Sequence, residues 1–339
     1  MSLRSPEPPP AVAALPRFEL IDGPSPLARL ERFSAALGGG AEIWIKREDL
    51  LPLAFGGNKL RNLEFLVGDA LARGCDVLVT SGRRWSNHCR LTAAAGARAG
   101  LEVHLALTGP PSPTPGPNER LDALLGAHVH VAATGAREDR EELVATIVGD
   151  LVVAGRRPYH IGVGGSGFAD GPPIGAVGQV VAGLELLRQT ADLGWNPSAI
   201  VVPTATGGTH AGLLAAVEFA RSDARVLGVA IGGPPNEAWT TVAALLDGLE
   251  RLIGVRAAPD ERIEVDGDQL GPGYGSPTAA ATEATQLLAR TEGILVDPIY
   301  TAKALAGLVA GVREGRLRGR VVFWHAGGTP ALFEALPPA

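Results

Sequence analysis

The segment AIVVPTATGGTHAGLLAAVEFARS, residues 199–222, reads as an apolar strand over 199–205, a turn of threonine and glycine, and a helix over 208–221. A strand that is apolar on both faces and feeds directly into a helix belongs to a parallel sheet with helices on both sides. Outward from it the same alternation recurs. EIWIK (43–47), DVLVTSG (76–82), EVHLALTG (102–109), HVHVA (128–132), RVLGVAIGG (225–233) and RVVFWHAGG (320–328) read as strands. Helical patterns fall at 59–73, 87–99, 118–125, 138–154, 175–191, 236–250, 276–291 and 301–315. The expectation is an α/β fold with mainly parallel sheets. The glycine- and proline-rich stretch GGSGFADGPPIGAVG (164–178) marks a boundary between two lobes, and TGPPSPTPGPNE (108–119) is the one low-complexity loop.

Composition narrows the class of protein. With 339 residues, 46% of them hydrophobic, the chain can bury a large core, and a net charge of −6 with no basic stripe excludes nucleic acid as an expected partner. No apolar run approaches the ~20 residues of a membrane span. Residues 1–16, rich in proline, read as a flexible lead rather than a signal peptide. Cys75 and Cys89 are too few for a disulfide framework, and no Cys/His cluster has the spacing of a metal site. A reducing cytoplasm is expected, with no metal and no membrane.

Of 30 basic residues only three are lysine: Lys46, Lys59 and Lys303. Arginine stays protonated, whereas lysine can lose its proton and attack a carbonyl, so a lysine in an arginine-dominated chain is a candidate nucleophile. Lys46 precedes Arg47, Glu48 and Asp49 and reads as ion-paired; Lys303 sits in an apolar helix and reads as partly buried and paired. Lys59 follows Gly56, Gly57 and Asn58, with Asn58 a candidate cap for the helix that starts there. The helix dipole disfavours a cation in that first turn by only about 0.3–1 kcal/mol, so burial beside a ligand must supply most of any large pKa shift.

Two glycine motifs compete for a phosphate. Gly162-Val-Gly164-Gly-Ser-Gly167 matches G-x-G-x-x-G, but the prolines at 172 and 173 and the lack of an immediate helix argue against a dinucleotide site. Thr206, Gly207, Gly208 and Thr209 follow a strand and open a helix, so backbone N–H groups, the helix N-terminus and two hydroxyls can surround one phosphate. A plain capped turn remains open on this motif alone. No lysine follows the glycines, so no nucleotide triphosphate is implied. A phosphate cup together with a carbonyl-seeking lysine points to pyridoxal 5′-phosphate.

Six motifs in order, KREDLLPLAFGGNKLRNLEFL (46–66), SGRRWSNHCRLTAAAGARAGL (81–101), TATGGTHAGL (204–213), GPGYGSP (271–277), DPIYTAKAL (297–305) and HAGGTPALF (325–333), resemble the D-cysteine desulfhydrase and 1-aminocyclopropane-1-carboxylate (ACC) deaminase family. The resemblance runs from about residue 16 to 335. It implies fold type II of the pyridoxal-phosphate enzymes, the tryptophan synthase β type. A small lobe of 55–160 is then inserted into a large one of 17–54 and 161–339, with the active site between them. It further implies that Lys59 bonds the cofactor beside Asn58, that Ser86, Asn87 and His88 face cofactor and substrate carboxylate, and that Thr206 to Thr209 hold the phosphate. By the same resemblance, Tyr274 and Tyr300 are expected to flank the substrate, Thr301 to face the pyridine nitrogen, and the protein to be a homodimer.

Three positions bear on the substrate. ACC deaminases carry glutamate where this chain has Thr301, which cannot hold a charge, so the resemblance favours α,β-elimination from a small β-substituted amino acid, D-cysteine first, to pyruvate, ammonia and sulfide. Deaminases carry leucine and desulfhydrases threonine where this chain has Ala326. Trp85 stands where the family has glutamine, and is expected either in the substrate pocket or packed inward; Arg83 and Arg84 before it are solvent charge or the seat of a second substrate anion. ACC deaminase, a lyase on cysteate or another β-substituted amino acid, and a pyridoxal-phosphate protein without turnover are the alternatives.

Overall fold

The structure, a computed structural model, describes residues 7–38, 40–109, 114–132, 134, 136–167, 169 and 171–335. Ten strands in it build two sheets. They are β1 (Leu27–Arg29), β2 (Ala41–Arg47), β3 (Val77–Arg83), β4 (Glu102–Thr108), β5 (His128–Val131), β6 (Pro158–His160), β7 (Ala199–Thr204), β8 (Arg225–Ala230), β9 (Glu264–Asp266) and β10 (Gly319–His325). The larger sheet has the order β1-β2-β10-β7-β8-β9 and the smaller the order β5-β4-β3-β6. Every pairing is parallel except β1 with β2.

The seven expected strands and nine expected helices are all present, with bounds within three residues of the sequence reading. The strands missed, β1, β6 and β9, have three residues each, too few to show a period of their own; their ladder partners hold them. The lead differs from expectation. Residues 1–6 lie outside the described residues, but residues 10–13 form a short helix whose Val12 is buried. Pro16 then runs so close to Gly68 that a methyl there would meet its carbonyl oxygen at 2.5 Å.

Parallel strands carry apolar residues on both faces because helices cover both. Buried residues of β7 point to a core that contains the helices Lys59–Ala72, Ile174–Asp192 and Gly208–Phe219, and to a second core under Ala279–Glu292 and Thr301–Arg313. The outer face of the smaller sheet packs Val77, Val79 and Ala106 under Val144, Ile147 and Leu151 of the helix Arg137–Val153. Glycine sets the helix spacing. A Cβ on Gly178 would sit 1.9 Å from the Arg61 carbonyl, so only glycine lets Ile174–Asp192 lie against Lys59–Ala72.

Between those two helices and β2 lies a buried charge cluster. Arg61 donates to Glu48 (2.9 and 3.0 Å) and to Glu185 (2.8 and 2.9 Å). Lys46 donates to the same Glu185 (2.5 Å), to the Ser25 carbonyl (2.7 Å) and to Gln189 (2.7 Å). Two cations thus meet two carboxylates with almost no solvent access. Lys46 is ion-paired, as its neighbourhood in the sequence suggested. Removing one partner from such a cluster leaves a charge uncompensated in low dielectric. Arg61→Leu should therefore lower the unfolding free energy by about 3–5 kcal/mol, read as a reduced midpoint in urea titration, and an unchanged midpoint would contradict the role given to the cluster.

Candidate active site

The chain reaches Lys59 through an unusual turn. Leu53, Ala54, Phe55, Gly56 and Gly57 all have positive φ, at 71°, 45°, 67°, 65° and 130°. Left-handed backbone costs a non-glycine residue about 1–2 kcal/mol, so the turn persists only because its surroundings hold it. The Gly57 N–H donates to the Glu48 carbonyl (3.0 Å), the Asn58 N–H to the Ala326 carbonyl (3.0 Å), and buried Arg90 to the Gly56 carbonyl (3.1 Å). The helix Lys59–Ala72 then begins with the lysine itself. Asn58 does not cap it, contrary to expectation: its side chain makes no capping bond and its Nδ2 donates to Thr209 Oγ1 (2.8 Å). The lysine turn and the Thr206–Thr209 turn are thereby tied together.

Four chain segments meet at one cavity of about 350 Å³. Lys59 and Asn58 come from the strained turn, and Ser86, Asn87 and His88 from the exit of β3. Thr206 to Thr209 come from the exit of β7, and Ala326 and Gly327 from the exit of β10. Tyr274 and Tyr300 close it. Strand exits and helix starts converge here, where open α/β sheets bind ligands. Asp297 holds Tyr300 in place by accepting the N–H groups of Ile299 (3.0 Å), Tyr300 (2.6 Å) and Thr301 (2.9 Å).

The three lysines are now distinct. Lys46 is ion-paired, and Lys303 donates to the carbonyls of Leu270 (2.8 Å) and Gly273 (3.0 Å). Lys59 alone makes no hydrogen bond or ion pair among the described residues, and burial lowers its pKa to about 8. Its amine is therefore half neutral near pH 8, far below the range of an ordinary lysine. His88 is buried and neutral, its pKa lowered to about 3 by burial and then by the charge of Lys59; its Nε2 meets Thr80 Oγ1 (3.0 Å), and its Nδ1 is buried without a partner. The hydroxyls of Tyr274 and Tyr300 bond to each other, and burial raises both phenols above their ordinary pKa, so they act as donors.

Two expected residues are elsewhere. Thr301 does not line the cavity; it is buried, and its hydroxyl is bonded to the Asp297 carboxylate. Trp85 does not line it either. The indole packs against Tyr274, with ring centroids 6.3 Å apart, and against Gly275, so it backs the wall instead of forming it. The segment 162–167, expected as a plain linker, lines the cavity through Val163 and Gly164; Phe168 and Asp170, in the same stretch, lie outside the described residues. Sequence reading missed Arg140, Glu237 and Thr241 on the wall, because nothing in the pattern of an exposed charged helix distinguishes the member that faces a cavity. No metal spacing was expected, yet pairing of β4 with β5 gathers donor atoms of Glu102, His104 and His128 within 4.8 Å of one another. Glu102 is there held by Arg156 at 2.6 Å.

Lys59, Arg83 and Arg140 face one carboxylate, Glu237, among the described lining residues, so the cavity favours an anionic ligand. Such a cleft at the strand exits of a two-sheet α/β fold, with a free amine beside an uncapped helix N-terminus, belongs to an enzyme that works through a carbonyl cofactor carrying a phosphate. The sequence matches the pyridoxal-phosphate dependent enzyme family over residues 18–327, and the chain belongs to that family. It is 40% identical over 329 residues to the D-cysteine desulfhydrase of Salmonella typhi, covering 95% of this chain and 97% of the relative; that of Salmonella choleraesuis is equally similar. A crystal structure of an ACC deaminase homologue superposes with a TM-score of 0.87 at 34% identity, covering 95% of this chain and 94% of the other. A pyridoxal 5′-phosphate-dependent aspartate racemase shares the fold, with a TM-score of 0.67 at 19% identity over 92% of each chain. The protein is a pyridoxal 5′-phosphate-dependent enzyme of fold type II.

The residues present fit that cofactor. Lys59 offers an unengaged amine of lowered pKa. No side chain caps the helix that opens at Gly208, which leaves its first N–H groups for an anion. A Cβ on Gly208 would meet Ser166 Oγ at 2.3 Å, so any larger residue there would require the Ser166 side chain to move. If Lys59 is the reactive amine, pyridoxal phosphate added to apoprotein should become borohydride-reducible at a rate that rises with pH up to about 8 and levels above it. Peptide mapping should then find label on Lys59, and label on Lys46 or Lys303 would count against the assignment.

Proposed function

We propose that the protein is a lyase that performs α,β-elimination on a small β-substituted amino acid, with D-cysteine the first substrate, giving pyruvate, ammonia and sulfide with consumption of one water. The observation that carries this reading is the unengaged Lys59 amine, with Ser86, Asn87 and the Thr206–Thr209 turn on the walls around it. The 40% identity to D-cysteine desulfhydrases over nearly the whole chain supports the substrate.

When bound, pyridoxal phosphate supplies an aldehyde that condenses with amines and a ring that takes up electrons from a breaking Cα–H bond. Lys59 would bond it, Asn58 and Asn87 would lie against it, and Thr206, Gly207, Gly208 and Thr209 would hold its phosphate through hydroxyls and helix N–H groups. The Lys59 amine, neutral above about pH 8, would accept the Cα proton. Ser86, Asn87 and His88 would surround the substrate carboxylate at the start of the helix Asn87–Ala99, where Ser86 and Asn87 can donate to it. Tyr274 and Tyr300, held protonated by burial, would donate to the substrate carboxylate and to the departing sulfur. Ala326 gives the substrate side only a methyl group, while Thr301 and Trp85 would act from behind the wall, through Asp297 and through Tyr274.

ACC deamination is the second reading, favoured by the ACC deaminase homologue at 34% identity. Against it, Thr301 offers no carboxylate to hold the cofactor ring protonated, which prolonged carbanion chemistry needs, and Ala326 stands where deaminases carry leucine. A lead at 1–16, a small lobe of 55–160 and a large lobe of 17–54 and 161–339 form part of the proposal, supported by the descent of the smaller sheet from 77–160 alone. So do a homodimer and a cytoplasmic location; among the described residues no helix is long and apolar enough to cross a membrane.

Holoenzyme incubated with D-cysteine, L-cysteine, cysteate and ACC should release pyruvate from D-cysteine fastest, and 2-oxobutyrate from ACC slowly or not at all. Absence of keto acid from all four would sink the reading. Tyr300→Phe should lower kcat by about 10²–10⁴-fold, as loss of a proton donor does, with a smaller change in KM. A Tyr300→Phe variant of normal kcat would remove that residue from the chemistry.

A further inference from the structure

The cavity carries more positive charge than the proposed elimination uses. Lys59 and the Thr206–Thr209 turn serve the cofactor, and Ser86 with Asn87 the substrate carboxylate. Arg83 and Arg140 remain on the wall. Of the two neighbouring arginines in the sequence, Arg84 is committed elsewhere: its Nε donates to Glu119 (2.8 Å), and its methylenes lie against Gly109. Arg83 ends β3, whereas Arg140 comes from the helix Arg137–Val153, so two separate elements bring guanidinium groups to one cavity.

Arg140 is the unsatisfied member. Its Nε is buried with no hydrogen-bond partner, and its guanidinium forms no ion pair among the described residues. Glu141, the adjacent acid, is already paired with Arg137 at 2.6 Å. Burial and then the like charges of Arg83 and Arg137 lower the Arg140 pKa, the signature of a cation placed without its counter-charge. Arg140 also lines a wider adjoining cavity of about 920 Å³ that shares Val163, Ala205, Thr206 and Thr241 with the first. It therefore stands at the junction between the inner cavity and its approach.

A half-buried guanidinium without a partner costs free energy that a bound anion returns. We propose that Arg140, with Arg83 beside it, forms a subsite for a second anionic group on the β substituent of the amino-acid substrate, a sulfonate, carboxylate or phosphate. The cofactor phosphate would have its own seat at the helix start of Thr206–Thr209, so Arg140 is left for the substrate. This inference rests on the reading of the cavity as a site for β-substituted amino acids, and it adds to that class members whose β substituent is itself anionic.

The test is isothermal titration calorimetry of holoenzyme with 3-sulfopropionate and with butanoate. Both have one carboxylate and no amine, so neither bonds to the cofactor, and only the first carries the second anion. Wild type should bind 3-sulfopropionate at least about tenfold more tightly, the usual worth of a charge-assisted hydrogen bond. Arg140→Gln and, separately, Arg83→Gln should erase most of that preference, while Arg84→Gln should keep it. Equal affinity of wild type for the two ligands would overturn the subsite, as would a preference that survives in both Arg140→Gln and Arg83→Gln. Loss of bound cofactor in Arg140→Gln with the preference intact would also overturn it, and would assign the guanidinium to the cofactor phosphate. Because the titration needs no turnover, a protein that eliminates nothing from D-cysteine can still pass it, so the subsite and the proposed activity fail separately.

Discussion

The buried meeting of Arg61 with Glu48 and Glu185 fixes where Lys59 stands. Arg61 lies two residues beyond Lys59 on the same helix, and its carboxylate partners come from the end of β2 and from the helix Ile174–Asp192. Lys46 adds a second cation to Glu185, so the helix start, the sheet edge and the neighbouring helix share one charge-balanced node. In low dielectric a guanidinium bonded to two carboxylates has few alternative arrangements of similar energy. Gly178 lets the backbones touch at the Arg61 carbonyl, and the helix start has little freedom to rotate.

That rigidity supports the turn before it. Three non-glycine residues in a row with positive φ are unfavourable, and they lead the chain from the end of β2 back toward the cavity with Lys59 at its end. The turn is stitched to Glu48, which is also a partner of Arg61, and to Ala326 at the exit of β10. Asn58 extends the stitching to Thr209 in the proposed phosphate turn. The proposed amine anchor and phosphate seat are thus mechanically one unit, although about 150 residues separate them (|i−j| = 151 for Asn58 and Thr209). Bonds from Gly57, Asn58 and Arg90 hold the strained turn.

Much of this was legible in the linear chain. Strands with apolar residues on both faces identify a parallel sheet because only helices on both sides can bury them, and β3, β7 and β10 were plain on that ground. Lys59 stood out as a rare lysine at a helix start, the Thr206–Thr209 turn as a glycine-rich strand exit, and Ser86 through the resemblance alone; the fold brings all three to one cavity. What was not legible is instructive. β1, β6 and β9 are too short for a pattern, and they exist only where a ladder accepts them. Thr301 and Trp85 sit in the right motifs but outside the wall, because one hydroxyl found Asp297 and one indole found Tyr274. Neither partner is predictable from local spacing.

The sequence by itself determined the fold class, the family and the special status of one lysine among three, because these follow from period, order of motifs and the chemistry of residue types. Tertiary structure decided which charges are spent and which are left. Arg84 looks as available as Arg140 in the linear chain, yet it is tied to Glu119, and the partners of Lys46 and Lys303, read from the sequence only as paired, are a carboxylate and carbonyls brought from elsewhere. Among the described residues, Lys59 and Arg140 face the cavity without such partners. Whether a charge is neutralised depends on groups within a few ångströms in space, and parallel sheets place strands side by side that lie far apart in the chain.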